Sequence, residues 1–238
     1  TLAKLTDYIE NHEHTFNDNK ITWKEILSAR TDVKLEKHGL FHWLTFTLGK
    51  ILFGICYRFK VSGKKNLPNN PCIIVANHRC AIDGFLITYN FSRKANRDIY
   101  FFAKEKHWRT KFAQFFAKKN NIILMDINKN VRQSLQEMCA VLKKGKNIVI
   151  FPEGTRSRDN RMKNFKETFA ILSKELNVPI LPVAISGSES ACYGDGIVPR
   201  FGKKIDIDIM DPVMPSEEQS VESLRDKIAS MIEKRLKK

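Results

Sequence analysis

Hydrophobic positions recur in two rhythms along this chain. From Gly39 onward, "GLFHWLTFTLGKILFGICYRF" sets Leu40, Phe41, Leu44, Leu48, Ile51, Leu52, Ile55 and Phe59 at helical spacing, with Trp43, Phe46 and Phe53 broadening the stripe. This predicts a helix over residues 39–59. Beyond it the apolar runs shorten to "FKVSG", "CIIVA", "IYFFA", "IILMD", "NIVIFP", "PILPVAI" and "KIDIDIM", each read as a strand. Helical stretches separate most of them, at Ala81 to Phe91, Trp108 to Ala117, Val131 to Lys143, Phe165 to Leu176 and Ser216 to Lys237. Runs rich in β-branched residues mean strands buried on both faces. The expected fold is α/β: a mostly parallel central sheet of seven strands, flanked by helices.

The segment before Gly39 is polar and stands apart. A weak helix is expected at Leu2 to Glu10, then a turn at "NDNK", then a second helix capped by Thr22 with Glu25 at the capping-box position. The expected organisation is therefore a polar helical linker or appendage at 1–38 and one main domain at 39–238. The chain opens on Thr1 in what reads as mid-helix, which favours a segment cut from a longer polypeptide over simple renumbering.

The 39–59 helix is interrupted by His42 and Lys50 and flanked by Lys37 and Arg58, unlike the roughly 20 clean apolar residues of a membrane span. It suits a helix lying in the bilayer interface, with its aromatic face among acyl chains and its cations at the headgroups. The alternative is an amphipathic helix packed on the core.

Charge adds a class of partner. Lys and Arg number 41 against 26 acids, a balance of +15, which favours a polyanion: nucleic acid, an anionic membrane surface, or phosphorylated and CoA-like substrates. The 5 cysteines are odd in number and form no C-x-x-C, which points away from a disulfide framework or a zinc site and toward a cytoplasm-facing location. No metal-ligand cluster or cofactor motif is visible.

Two strand ends carry candidate chemistry. "VANHRCAIDG" puts His78 on the turn after a strand and Asp83 in the first turns of the following helix, so the carboxylate can reach one imidazole nitrogen and leave the other free as a base. Such a dyad would deprotonate an acceptor hydroxyl. Backbone amides around Asn77 to Arg79, or at the helix start, are the guess for oxyanion donors. Cys80 offers a competing thiol nucleophile. The second strand end, "NIVIFPEGTRSR", bears Glu153, Gly154, Thr155, Arg156 and Arg158. There Gly154 permits close backbone approach, Arg156 offers a planar fork for phosphate oxygens, and Glu153 can orient that fork or the acceptor.

"NHRCAID", "FPEGTRS" and "VPILPVAISGS" stand in this order. With them the chain resembles the glycerolipid acyltransferase family typified by bacterial 1-acylglycerol-3-phosphate acyltransferase, over residues 40 to 215. The resemblance implies acyl transfer from an acyl-CoA or acyl-carrier-protein thioester to the hydroxyl of a lysophospholipid. The acceptor it implies is 1-acylglycerol 3-phosphate, with lysophosphatidylethanolamine or glycerol 3-phosphate as alternatives. His78 would be the general base and Asp83 its orienter, with Lys104 and Arg156 near the acceptor phosphate and Glu153, Gly154 and Thr155 completing the substrate side. The mechanism calls for no cofactor. The interfacial helix and the cysteine pattern together lead to the expectation of a monotopic enzyme at the cytoplasmic face of the cell membrane. In some relatives the acyltransferase is fused to an acyl-activating or carrier domain, and residues 1–38 would then be the linker from it.

The chain departs from the family pattern in two places. Where the family has a G-x-I-F-I-D-R block, "NIILMDI" puts Asn121 at the glycine and Ile127 at the phosphate-binding arginine, with Lys129 as a possible substitute. Thr168 and Phe169 replace a common Gly-Ala pair, a bulkier choice expected to reshape the acyl tunnel. Two rival classes are a silent lipid-binding relative and a nucleic-acid binder built on the basic, aromatic stretch 92–119. In that stretch Phe112, Phe115 and Phe116 fall at helical spacing, which favours core or membrane contact over base stacking, so no nucleic-acid partner is expected.

Overall fold

The computed structural model describes residues 27, 33–35, 39–69, 71–105, 108–125, 131–156, 162–194 and 196–237. The expected helices at 2–10 and around Thr22, and the residues Ile127, Lys129 and Arg158, lie outside these. In chain order the elements are α1 (Leu40–Cys56), β1 (Tyr57–Ser62), β2 (Ile73–Ala76), α2 (Asp83–Thr88), α3 (Arg93–Arg97), β3 (Ile99–Lys104) and α4 (Lys111–Lys119). Then follow β4 (Ile122–Met125), α5 (Val131–Lys143), β5 (Asn147–Ile150), α6 (Thr168–Leu176), β6 (Ile180–Ser186), β7 (Lys203–Ile209) and α7 (Val221–Leu236).

All seven strands join one sheet in the order β1-β7-β6-β2-β5-β3-β4. Neighbours run parallel except β6 and β7, so β6, β2, β5, β3 and β4 all point one way. The short central strands β2 and β5 are buried on both faces and apolar but for Asn147, as a sheet covered on both sides requires. In β2, Ile73 and Val75 face a core shared with α5, α6 and α7, while Ile74 and Ala76 face a second core that takes in Phe53 and Cys56 of α1 and Leu86 and Ile87 of α2. The sheet therefore sits between two helical layers.

Helix α1 docks on the second layer with its polar and aromatic minority inward. His42, Phe46, Phe53 and Cys56 are buried, whereas Leu40, Leu44, Leu48, Ile51, Leu52 and Ile55 face outward. A Cβ at Gly49 would lie 2.5 Å from the Tyr89 ring, so the glycine lets the helix backbone close on Tyr89. Phe46 and Phe53 pack on that ring with centroids 5.4 and 5.6 Å away, and Thr45 donates to Asn120 Oδ1 at 2.6 Å. The helix ends at Cys56, three residues before the expected boundary, because the sequence from Tyr57 alternates apolar and polar and enters the sheet as β1 beside β7.

Candidate active site

Because β2, β5, β3 and β6 are parallel, their carboxyl ends open on one edge of the sheet, where ligands gather in α/β folds. The turn after β2 is fixed from two sides. Asn77 donates from Nδ2 to Ile185 O at 2.9 Å and accepts from Ile185 N–H at 2.8 Å, a two-bond clasp onto β6. The next amide, His78 N–H, donates to Glu153 Oε1 at 2.8 Å on the β5 side.

Within that turn His78 Nδ1 lies 2.9 Å from Asp83 Oδ2. Asp83 opens α2 and is fully buried, and the same oxygen accepts the Arg79 and Cys80 amides at 2.7 Å each. A carboxylate oxygen holding two amide donors presents an acceptor to the ring, which places the imidazole proton on Nδ1 and leaves Nε2 as the basic nitrogen. Phe151 stacks beneath the ring, centroids 4.3 Å apart. The imidazole is thus held in one orientation while 21% of its side chain stays exposed at the sheet edge.

The second turn follows β5. Gly154 takes a left-handed φ of 69°, turning the chain so that Glu153 points inward. Glu153 is buried, and its other oxygen accepts Lys163 N–H at 3.0 Å. It therefore bridges the two turns through backbone amides. Burial raises its carboxyl above the ordinary 4.5, and the two amides and the charges of His78 and Arg79 oppose that rise in part. Lys163 Nζ donates to Thr155 Oγ1 at 2.8 Å and to Arg156 O at 3.2 Å, adding a cation to this side that the motif alone did not single out. Lys104 ends β3, one strand beyond β5 on the same edge. Two strand spacings from β2 put it about 10 Å sideways of the His78 turn.

Part of the expected set of oxyanion donors is already engaged. The amides of His78, Arg79 and Cys80 are engaged by Glu153 and Asp83, and Asp83 N–H by Cys80 O at 3.2 Å, so none of them faces the mouth. Cys80 is also unsuited to attack. It is buried with Sγ 3.4 Å from Cys192 Sγ, and burial foremost pushes its thiol up to about 12. On the β6 side Arg79 Nη1 stands 3.7 Å from Glu189 Oε2.

The acyltransferase family model matches residues 58–186, which is more than half of the chain and contains both turns. The chain belongs to the acyltransferase family. Its relatives include a 1-acyl-sn-glycerol-3-phosphate acyltransferase of Cocos nucifera, 30% identical over 52% of this chain and 40% of that protein. Another of that name, from Saccharomyces cerevisiae, is 27% identical over 70% of this chain and 54% of its own length. The chain thus spans about half the length of the curated relatives it matches. The crystal structure of the 1-acyl-sn-glycerophosphate acyltransferase PlsC from Thermotoga maritima superposes with a TM-score of 0.70 at 26% identity, covering 82% of this chain and 78% of that one.

Of the positions that depart from the family pattern, Asn121, Thr168 and Phe169 fall among the described residues. Asn121 adopts φ 60°, the left-handed conformation natural to glycine, and holds it with Nδ2 bonds to the carbonyls of Arg97 and Ile99 at 3.0 Å each. Phe169 is fully buried in the core cluster beneath α5, α6 and α7, 6.2 Å from the Phe165 ring, and Thr168 beside it is also buried.

Proposed function

We propose that this acyltransferase-family chain moves a fatty acyl group from an acyl-CoA or acyl-carrier-protein thioester to the free hydroxyl of 1-acylglycerol 3-phosphate, giving phosphatidic acid. The observation that carries the reading is the His78–Asp83 pair at 2.9 Å, clamped by Phe151 and open on one side. The acceptor hydroxyl gives its proton to His78 Nε2 as its oxygen attacks the thioester carbonyl. The tetrahedral intermediate then expels the thiolate, which takes the proton from the imidazolium. Buried Asp83 stabilises the imidazolium between the two steps. Arg156, Lys163 and Lys104 make the β5–β3 side of the mouth cationic, which suits the acceptor phosphate, and Thr155 and Gly154 shape that side.

The site works at a bilayer in this reading. The outward stripe of α1 is continued by Phe112 and Phe115 of α4, exposed at 71% and 45%, with Phe41 and Phe115 in ring contact at 5.0 Å. No helix among the described residues is long and apolar enough to cross a membrane. Exposed apolar surface beside cations supports a monotopic seat in an anionic leaflet, and five free cysteines support its cytoplasmic face.

Wild type and His78→Ala are incubated with anionic vesicles, labelled acyl-CoA or acyl-carrier protein, and 1-acylglycerol 3-phosphate, glycerol 3-phosphate or lysophosphatidylethanolamine. Labelled phosphatidic acid is expected, falling on the order of 10²- to 10⁴-fold in His78→Ala with vesicle binding kept. Equal product from both proteins removes His78 as the base. Preference for another acceptor replaces the substrate, and no transfer to any of them leaves a lipid-binding relative.

A further inference from the structure

The segment joining β6 to β7 turns bulky apolar side chains outward. It folds back on itself: Tyr193 N–H donates to Val198 O at 3.0 Å, Arg200 N–H to Ala191 O at 2.8 Å, and Cys192 bridges Pro199 in antiparallel register. Tyr193, Ile197, Val198 and Phe201 are 61%, 69%, 61% and 69% exposed. Single exposed apolar residues are ordinary, but four large ones within nine residues make a patch.

Both ends of this hairpin are tied to the point where α1 runs into β1. Gly202 N–H donates to Cys56 O at 2.8 Å, Arg58 Nη2 to Gly202 O at 3.2 Å, and Tyr57 OH to Ala191 O at 2.7 Å. The hairpin therefore stands beside the last turns of α1, where Ile51, Leu52 and Ile55 are exposed. Cations surround it: Arg200 lies over the Tyr193 ring at 5.2 Å, and Arg58, Lys60 and Lys204 are exposed on the adjoining strands. Residues 193–204 contain a single acid, Asp195, against Arg200, Lys203 and Lys204.

We propose that residues 191–194 and 196–202 form a second bilayer-contact element, with Tyr193, Ile197, Val198 and Phe201 entering the headgroup–acyl boundary of an anionic membrane. Arg58, Arg200 and Lys204 meet the lipid phosphates. The proposal rests on the reading of α1 as an interfacial helix. An aromatic and aliphatic tip ringed by cations matches an anionic lipid surface in both apolar content and charge sign. It also connects to the chemistry, since Glu189 meets Arg79 and Cys192 meets Cys80 on the turn that bears His78. Two contact points, α1 and the hairpin, fix the tilt of the site's mouth against the lipid where one helix alone leaves it free to rock.

An environment-sensitive fluorophore is placed on Ile197→Cys or, separately, on Ile55→Cys, the native thiols being buried. Mixed phosphatidylethanolamine–phosphatidylglycerol vesicles are expected to shift the emission of both labels to the blue. A shift at Ile55→Cys alone overturns the hairpin and leaves α1 in place. No shift at either, with no vesicle binding, removes both readings. A response of the Ile197→Cys label to acyl-carrier protein and not to vesicles overturns the proposal in favour of a protein-docking loop. The triple variant Ile197→Ser, Val198→Ser, Phe201→Ser is expected to lower vesicle partitioning by about tenfold or more with an unchanged unfolding transition. Unchanged partitioning in that variant overturns the proposal.

Discussion

Both oxygens of Glu153 are occupied by backbone amides, His78 N–H at 2.8 Å and Lys163 N–H at 3.0 Å, so one buried side chain sets the distance between the two turns. Glu153→Ala leaves both donors without an acceptor, a loss of roughly 1–3 kcal/mol each, and urea unfolding is expected to show it together with reduced turnover. The pH dependence has a defined sign. Burial holds the folded carboxyl above 4.5, so the folded protein binds that proton more tightly than the unfolded chain. The resulting stability is fully present below 4.5 and is lost as pH rises through the folded value. The difference in stability between wild type and Glu153→Gln should therefore move against wild type as pH rises from 4.5, and a flat difference refutes it. His78 and Asp83 were legible in the sequence because five positions of chain bring them together. The bridge by Glu153 and the clasp from Asn77 to Ile185 were not, since those partners lie 75 and 108 positions apart and meet only through strand order. Of the amides expected as oxyanion donors, His78 N–H is engaged by Glu153 from 75 positions away and Arg79 N–H by Asp83 from 4.

At the scale of elements, the α4–β4 connection turns on Asn121. Its left-handed φ of 60° would be free for glycine and is tolerable for asparagine, whose amide here holds two carbonyls and whose own carbonyl accepts Phe101 N–H at 2.8 Å. Asn121→Gly keeps the turn and loses the side-chain bonds, about 1 kcal/mol, whereas Asn121→Ala adds left-handed strain for a total of about 2–4 kcal/mol. Urea midpoints should rank wild type, glycine, alanine; alanine equal to glycine would mean the turn relaxes. Strands were the most readable elements, because buried parallel strands compress into short apolar runs with little else to be. Helix α3 was missed, since Arg93–Arg97 is too short to show a period and rests instead on Ser92 capping Ala95 N–H at 3.1 Å. The end of α1 was misread because Phe59 continues the helical spacing from Ile55 while also fitting the alternation of β1.

On the scale of the whole molecule, a charge of +15 and an outward apolar stripe act over different ranges, and salt separates them. Attraction between basic surface and an anionic leaflet is worth ~1 kcal/mol per cation near the headgroups and fades as the Debye length shrinks from about 10 Å at 0.1 M to about 3 Å at 1 M salt. Burial of the exposed Leu44, Leu48, Ile51, Leu52 and Ile55 among acyl chains, as proposed, would have no such dependence. Binding to anionic vesicles should therefore fall by more than tenfold across that range and level off at the affinity measured for neutral vesicles. Leu48→Ser with Leu52→Ser should lower the plateau and leave the salt-sensitive part in place. Co-sedimentation at several salt concentrations reads both. Complete loss at high salt would mean that cations alone hold the chain at the surface and that the α1 stripe meets something other than lipid. Indifference to salt would mean that the basic surface faces away from the bilayer and serves the thioester donor instead.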